Sequence, residues 1–265
     1  MIEVSSFLSH PNRSNVPFIV GHRGASGHAP ENTLASFSLA IEMGADAVEF
    51  DIHQTSDGKI VVIHDEALTR TTDGEGMVMS KPLDEIKKLD AGSWYGEKFS
   101  GESVPTLEEA LSHICSRAIA LVEVKHSSDF YPNIEENIVN AVSGKQEWMR
   151  RAIFISFDPS ILVRLKELNN KITLGLLTLD PPEEYLEIAE DFGASAIFPR
   201  WEKMKPSSVK LVHEGGFTVH PWVMNREEDV MKVLEMEPDS LSSNFPDRLK
   251  AIIDRQDRRH QDGLA

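Results

Sequence analysis

The sequence predicts an α/β fold, a (β/α)8 TIM barrel with a small insertion over its C-terminal mouth. Short apolar runs alternate with amphipathic helical stretches from end to end, which is the pattern of parallel strands covered by crossover helices. The length of 265 residues is close to the roughly 250 of one such barrel, and a 40% hydrophobic content is enough for one large core. With no linker, repeat or low-complexity tract to divide it, the chain is expected to form a single domain over residues 1–265.

Strand-like runs occupy residues 18–21, 47–52, 60–63, 120–124, 152–156, 173–177, 194–198, 217–223 and, weakly, 240–243, one run too many for the barrel. Only residues 54–59 separate the second and third runs. A parallel crossover needs about a dozen residues or more, and Asp57-Gly58 is a favoured hairpin turn. Those two runs are therefore predicted to pair antiparallel, as an excursion at the mouth, which leaves eight parallel strands. Helix starts follow the same order along the chain. Thr106 with Glu109 and Asn225 with Glu228 have capping-box spacing, and Asp158-Pro159 places a cap before a first-turn proline. Residues 67–105 break the pattern with glycines, charges and scattered aromatics around one short helical stretch at 83–89, and read as the insertion. The polar tail at 255–265 is expected to fray.

With 43 acidic against 27 basic side chains, the formal charge is −16. That balance opposes nucleic-acid binding and stable association with an anionic membrane, so phosphate recognition has to come from a few placed cations. Cys115 is the sole cysteine, which excludes an intramolecular disulfide, and its amphipathic surroundings make it a packing residue. Residues 1–16 lack the apolar stretch of a signal peptide and no segment has the apolar length of a membrane span. A soluble cytoplasmic protein is the expectation.

Catalytic groups of this fold lie at the C-terminal ends of strands. His22-Arg23-Gly24 ends the first run, Glu49-Phe50-Asp51 the second and Glu123-Val124-Lys125 the third parallel strand, while the returning hairpin adds His64-Asp65. Residues two apart on a strand share a face, so Glu49 with Asp51 and Glu123 with Lys125 can each project into the barrel. Three carboxylates from adjacent strands make an all-oxygen cation site suited to Mg2+ or Ca2+. The ordinary alternative is a structural ion-pair network, which the excess of carboxylates disfavours. His22 and His64 are placed to exchange protons with a substrate between them. His10, His28, His53, His113, His126, His213, His220 and His260 default to hydrogen-bonded structural roles, with His53 a further candidate for a place beside the metal. Arg23 offers a planar fork to phosphate oxygens and Lys125 a point charge. Gly21, Gly24 and Gly27 do not fit the dinucleotide-binding spacing, which His22 and Arg23 interrupt.

The stretches GHRGASGHAPENTLASF at 21–37, VEFDIHQTSDGKIVVIHD at 48–65 and VPTLEEAL at 104–111 resemble the glycerophosphodiester phosphodiesterase family, of the bacterial cytosolic type. The likeness continues through LVEVK at 121–125 and ISFDP at 155–159, and more weakly through PWVMN at 221–225 and SNFPDRL at 243–249. The segment at about 67–105 is similar to that family's insertion. What the resemblance implies is a hydrolase of lipid and glycerol metabolism that converts small-molecule glycerophosphodiesters to glycerol 3-phosphate and an alcohol with a divalent cation. It implies His22 and His64 as the acid–base pair and Glu49, Asp51 and Glu123 as metal ligands. Arg23 and Lys125 would contact phosphate, and Trp222 would line the pocket, with core packing an equal alternative for Trp222.

Two stretches depart from the family pattern. Trp222-Val223-Met224-Asn225 stands where Trp-Thr-Val-Asn is usual, and Ser243-Asn244 where Thr-Asp is usual. Both are expected to lie away from the seven core groups and to bear on substrate preference. Two rivals remain. A lysophospholipase D-like enzyme would use Trp94, Tyr95 and Phe99 as an apolar surface at the mouth, and a non-catalytic binding protein would have lost one of the seven groups, all of which are present.

Overall fold

The computed structural model describes residues 2–9 and 16–263, with side chains described as far as residue 258. Its strands are β1 (Phe18–His22), β2 (Ala47–Gln54), β3 (Ile60–Val62), β4 (Ile119–Val124), β5 (Ala152–Ser156), β6 (Thr173–Thr178), β7 (Ala196–Pro199), β8 (Thr218–Val219) and β9 (Ser240–Ser243). Eight pair in parallel in the order β8-β7-β6-β5-β4-β2-β1-β9. Across the remaining seam the Asp239 N–H donates to the Val219 carbonyl at 2.9 Å and the Met224 N–H to the Ser242 carbonyl at 2.8 Å, which brings the sheet to a nearly closed barrel.

The β3 strand is the predicted excursion. It runs antiparallel to β2 with His53 opposite Val61, and Gly58 turns the hairpin at φ 73°, a left-handed conformation that glycine adopts without a side-chain clash.

Period-two alternation explains how strands buried along their whole length still carry charge. Val48, Phe50 and Ile52 of β2 face outward into the shell of helices, packing in one cluster with Phe37, Leu107 and Leu111. Ala47 faces inward, in a cluster with Val20, Leu121, Ile155, Leu177 and Phe198 that fills the barrel. Above that apolar layer the next inward positions of β2 and β4 are Glu49, Asp51, Glu123 and Lys125, paired so that Glu49 lies beside Leu121 and Asp51 beside Glu123. Gly24, at φ 83°, leaves room for the helix Leu34–Glu42, because a Cβ there would come within 2.3 Å of Ser36 Oγ.

The sequence suggested no element before residue 18, yet Val4–Phe7 forms a short helix with Val4 and Phe7 buried. Phe7 closes the base of the barrel by stacking on His220 at 4.7 Å. The run expected at 217–223 shortens to Thr218–Val219 because Pro221 has no N–H to give the ladder; pairing resumes where the Trp222 N–H reaches the Pro199 carbonyl at 3.1 Å. Of the tail expected to fray, residues 255–263 continue the helix Pro246–Gly263, and 264–265 lie outside the described residues. Thr106 and Glu109 form the predicted capping box, and Asp158 caps its helix through the Ser160 N–H. Asn225 caps nothing: its Oδ1 accepts from the Asn244 N–H at 2.9 Å and from Ser243 Oγ at 3.2 Å.

The segment at 67–105 contains the single-turn elements Leu68–Arg70, Val78–Ser80 and Glu97–Phe99 and the short helix Leu83–Ile86. Leu68, Val78, Ile86, Ala91 and Val104 bury themselves with Val61 and Ile63 of the hairpin, a small core separate from the barrel's own.

Candidate active site

A cavity of about 160 Å³ opens at the C-terminal ends of the strands. The β1, β2 and β4 side contributes His22, Arg23, Glu49, Glu123 and Lys125, and the hairpin adds His64. Ile155, Phe157, Leu177, Phe198 and Trp222, from β5 to β8, form the opposite, apolar wall. All eight residues singled out in the sequence lie in or beside this cavity; Asp51, fully buried, adjoins it through Lys125 and Arg23.

Glu49, Asp51 and Glu123 offer carboxylate oxygens that all lie within 4.8 Å of one another. Asp51 is the most tightly held. Its Oδ1 lies 2.7 Å from Lys125 Nζ, its Oδ2 lies 3.2 Å from Arg23 Nε, and Asn32 Nδ2 donates to Oδ2 at 2.8 Å. Burial opposes ionisation of Asp51, but Lys125 and Arg23 outweigh it and hold the carboxyl below the usual range. Glu123 has Lys125 at 2.6 Å, yet burial and the Asp51 charge push it up to about 7. Glu49 accepts the Arg23 backbone N–H at 2.9 Å through Oε2, while Oε1 is buried without a donor. Burial, then Asp51 and Glu123, raise Glu49 well above the ordinary glutamate value.

An ion-pair network accounts for Lys125 but not for Glu49. Arg23 divides its charge between Asp51 and Glu31, the latter 2.9 Å from its Nη1. Two carboxylates are left under-compensated, and one oxygen is orphaned. A divalent cation with oxygen ligands fits this set.

The two histidines have unlike supports. His22 Nδ1 lies 2.7 Å from Asn244 Oδ1, an acceptor, so Nδ1 carries the proton and Nε2 is left toward Glu49, 3.9 Å from its Oε2. Burial and the neighbouring Arg23 lower its pKa to about 4. His64 Nδ1 lies 2.6 Å from a carboxylate oxygen of Asp65. Burial lowers His64 as well, opposed by Asp51.

His53 does not approach the carboxylates as a site residue. It is buried with Nδ1 2.7 Å from Tyr131 Oη and Nε2 2.9 Å from the His64 carbonyl, so it braces the hairpin strand. His28, His113, His126, His213 and His220 have polar partners in Asp247, Ser38, Glu66, Asp239 and Ser240, as a structural role requires. His10 and the side chain of His260 lie outside the described residues. Cys115 is buried, and burial pushes its thiol up to about 12.

The departure at Ser243-Asn244 does not lie away from the site. Asn244 touches His22, and Asn225 holds Asn244 in turn. Trp94, Tyr95 and Phe99 are not cavity residues; they pack edge to face on one another at 5.6 Å within the insertion. Sequence reasoning also missed Glu31, Asn32 and Arg70. The first two lie within the motif at 21–37, where an Asn in the left-handed conformation (Asn32, φ 61°) signals a specialised turn.

A barrel with converging carboxylates, cations and imidazoles at its mouth is that of a phosphodiester hydrolase. Residues 22–248 match the model of the glycerophosphoryl diester phosphodiesterase family, and the chain belongs to it. A glycerophosphodiester phosphodiesterase of Caldanaerobacter subterraneus subsp. tengcongensis is 37% identical over 236 residues, 89% of this chain and 97% of the relative. A second, from Bacillus subtilis, is 36% identical over 245 residues, 86% of this chain and 83% of the relative. The solved structure of an Oleispira antarctica phosphodiesterase in complex with the product sn-glycerol-3-phosphate is similar at a TM-score of 0.84 and 32% identity, covering 91% of this chain and all of the other (100%).

Proposed function

We propose that the protein hydrolyses glycerophosphodiesters to glycerol 3-phosphate and an alcohol. The observation that carries this reading is the two-sided cavity, in which a half lined by carboxylates, cations and imidazoles faces an apolar half suited to the carbon skeleton of the substrate. Glu49, Asp51 and Glu123 would hold a Mg2+ or Ca2+ ion, which supplies charge to the phosphate oxygens as negative charge builds on them. Arg23 and Lys125 orient the phosphate and stabilise the same charge. His22, neutral and with a lone pair on Nε2, takes a proton from the attacking oxygen, which is either water or a neighbouring glycerol hydroxyl whose cyclic phosphate is then opened by water. His64, whose imidazolium form Asp65 stabilises, gives one to the leaving alkoxide. Trp222, fixed by its Nε1–H to the Phe198 carbonyl at 2.9 Å and set edge-on to Phe157, bounds the apolar half.

The lysophospholipid reading loses the aromatic trio that motivated it but gains Phe157, which is 41% exposed, and Leu179, which is 52% exposed, beyond the ends of β5 and β6. Comparing glycerol 3-phosphate release from glycerophosphocholine with choline release from lysophosphatidylcholine separates the two. The first is expected to dominate, and a preference for the acylated substrate would reverse the assignment.

A further inference from the structure

Arg70 belongs to neither the barrel nor the cavity lining, yet its guanidinium is forked onto two carboxylates at once. Nε lies 2.5 Å from Asp65 Oδ2 and Nη2 lies 3.0 Å from Asp65 Oδ1. On the other side Nη1 lies 3.0 Å from Glu31 Oε2 and Nη2 lies 2.8 Å from Glu31 Oε1. Each carboxylate in turn holds one side chain of the cavity: Asp65 accepts from His64 Nδ1 at 2.6 Å, and Glu31 accepts from Arg23 Nη1 at 2.9 Å.

We propose that Arg70 is a positioning residue that locks His64 and Arg23 into one arrangement through Asp65 and Glu31. The proposal rests on the roles given above to those two side chains. The chain from His64 through Asp65, Arg70 and Glu31 to Arg23 is continuous, and it links a group from the hairpin to a group from the turn after β1. Stability does not require it, because the Arg70 side chain is 42% exposed and exposed ion pairs contribute little. Its geometry is the informative part: two bidentate contacts fix a carboxylate in plane and in rotation, which a lysine ammonium cannot do. Arg70 also keeps Asp65 ionised and able to accept the hydrogen bond from His64 Nδ1–H.

The insertion supplies the rigidity. Leu68 is fully buried in the small core, Thr71 and Thr72 are buried beside it, and Thr72 Oγ1 donates to the Leu68 carbonyl at 2.7 Å. The single turn Leu68–Arg70 thus presents its last residue from a fixed base.

The test compares Arg70→Ala, Arg70→Lys, Asp65→Asn and Glu31→Gln with the unchanged protein. Lys88→Ala, which removes an exposed pair with Asp84 in the same segment, serves as control. Turnover of glycerophosphocholine is measured together with the imidazole N–H region of the proton NMR spectrum. Arg70→Ala is expected to lose about 100-fold in kcat/KM, the scale of an ångström-size misplacement, and Arg70→Lys to recover little of it. Asp65→Asn acts mainly on kcat and Glu31→Gln mainly on KM, while Lys88→Ala is unchanged. The His64 Nδ1–H signal, identified by its loss in His64→Gln, shifts or exchanges away in Arg70→Ala while the His22 signal stays. Full rescue by lysine, or an unaltered His64 signal in Arg70→Ala, overturns the proposal. An unchanged protein inactive on every glycerophosphodiester overturns the functional reading instead, and the NMR comparison still decides whether Arg70 holds His64.

Discussion

Asn244 touches His22 through one hydrogen bond, and that bond decides which imidazole nitrogen would be left for the proposed proton transfer. An amide oxygen accepts only, so Nδ1 keeps its hydrogen and Nε2 keeps its lone pair. Removing the acceptor frees the ring to rotate and change tautomer while Arg23 and Lys125 stay in place. Asn244→Ala is therefore expected to lower kcat about 10- to 100-fold with a much smaller change in KM, the usual cost of deleting an orienting partner. Equal changes in both, or none, would contradict the orienting role. The seven core groups were legible from sequence because each ends an apolar run, and strand alternation decides its direction. Asn244 and Arg70 were not. Asn244 meets His22 only because β9 pairs with β1 across more than two hundred residues, and Arg70 lies in a stretch without periodicity, where no local pattern states a direction.

At the scale of elements, the hairpin is what carries His64 to the rim. Its existence followed from loop length and Asp57-Gly58 alone, since a short connection admits only antiparallel pairing. Gly58 sits at φ 73°, and a Cβ there would stand 3.2 Å from Asn137 Nδ2. Gly58→Ala is expected to cost about 1 to 2 kcal/mol from the left-handed backbone and the contact, measured as a lower urea midpoint at unchanged slope. No shift would mean that the turn relaxes without strain. The capping forecast at Asn225 failed for a reason at this same scale. The side chain had two uses available, and tertiary structure chose the loop of Ser243 and Asn244 over the helix that begins at Glu227.

Across the whole molecule, two buried histidines and the half-buried His22 tie stability to pH. His22, His53 and His220 are lowered to about 4, with burial the leading cause in each. All three are neutral in the folded protein, whereas an unfolded histidine binds a proton below about 6.5. Between those values the unfolded state holds more protons, so stability is fully present above about pH 6.5 and is lost as pH falls toward 4. His220, stacked on Phe7 and bonded to Ser240 and Thr218, belongs to the base of the barrel and can be replaced without touching the polar half of the site. His220→Gln is expected to remove about 1.4 kcal/mol per pH unit from that slope, read from urea unfolding at pH 4.5 and 5.5. An identical slope would mean that His220 is protonated in the folded state or contributes nothing.

The formal charge of −16 and the cavity's local cations fit the proposed substrate: an acidic surface repels polyanions, while Arg23 and Lys125 would meet one small phosphodiester in the cavity. Among the described residues no helix is long and apolar enough to cross a membrane. The orphaned Glu49 oxygen and the three clustered carboxylates carry the central claim, that turnover depends on a cation they bind. Its most direct test is glycerol 3-phosphate release from a panel of glycerophosphodiesters by chelator-stripped protein, alone and with Mg2+ or Ca2+ added back. Release is expected to be abolished by stripping and restored by at least one of the two ions in the unchanged protein but not in Glu49→Gln. Undiminished release from the stripped protein would contradict it.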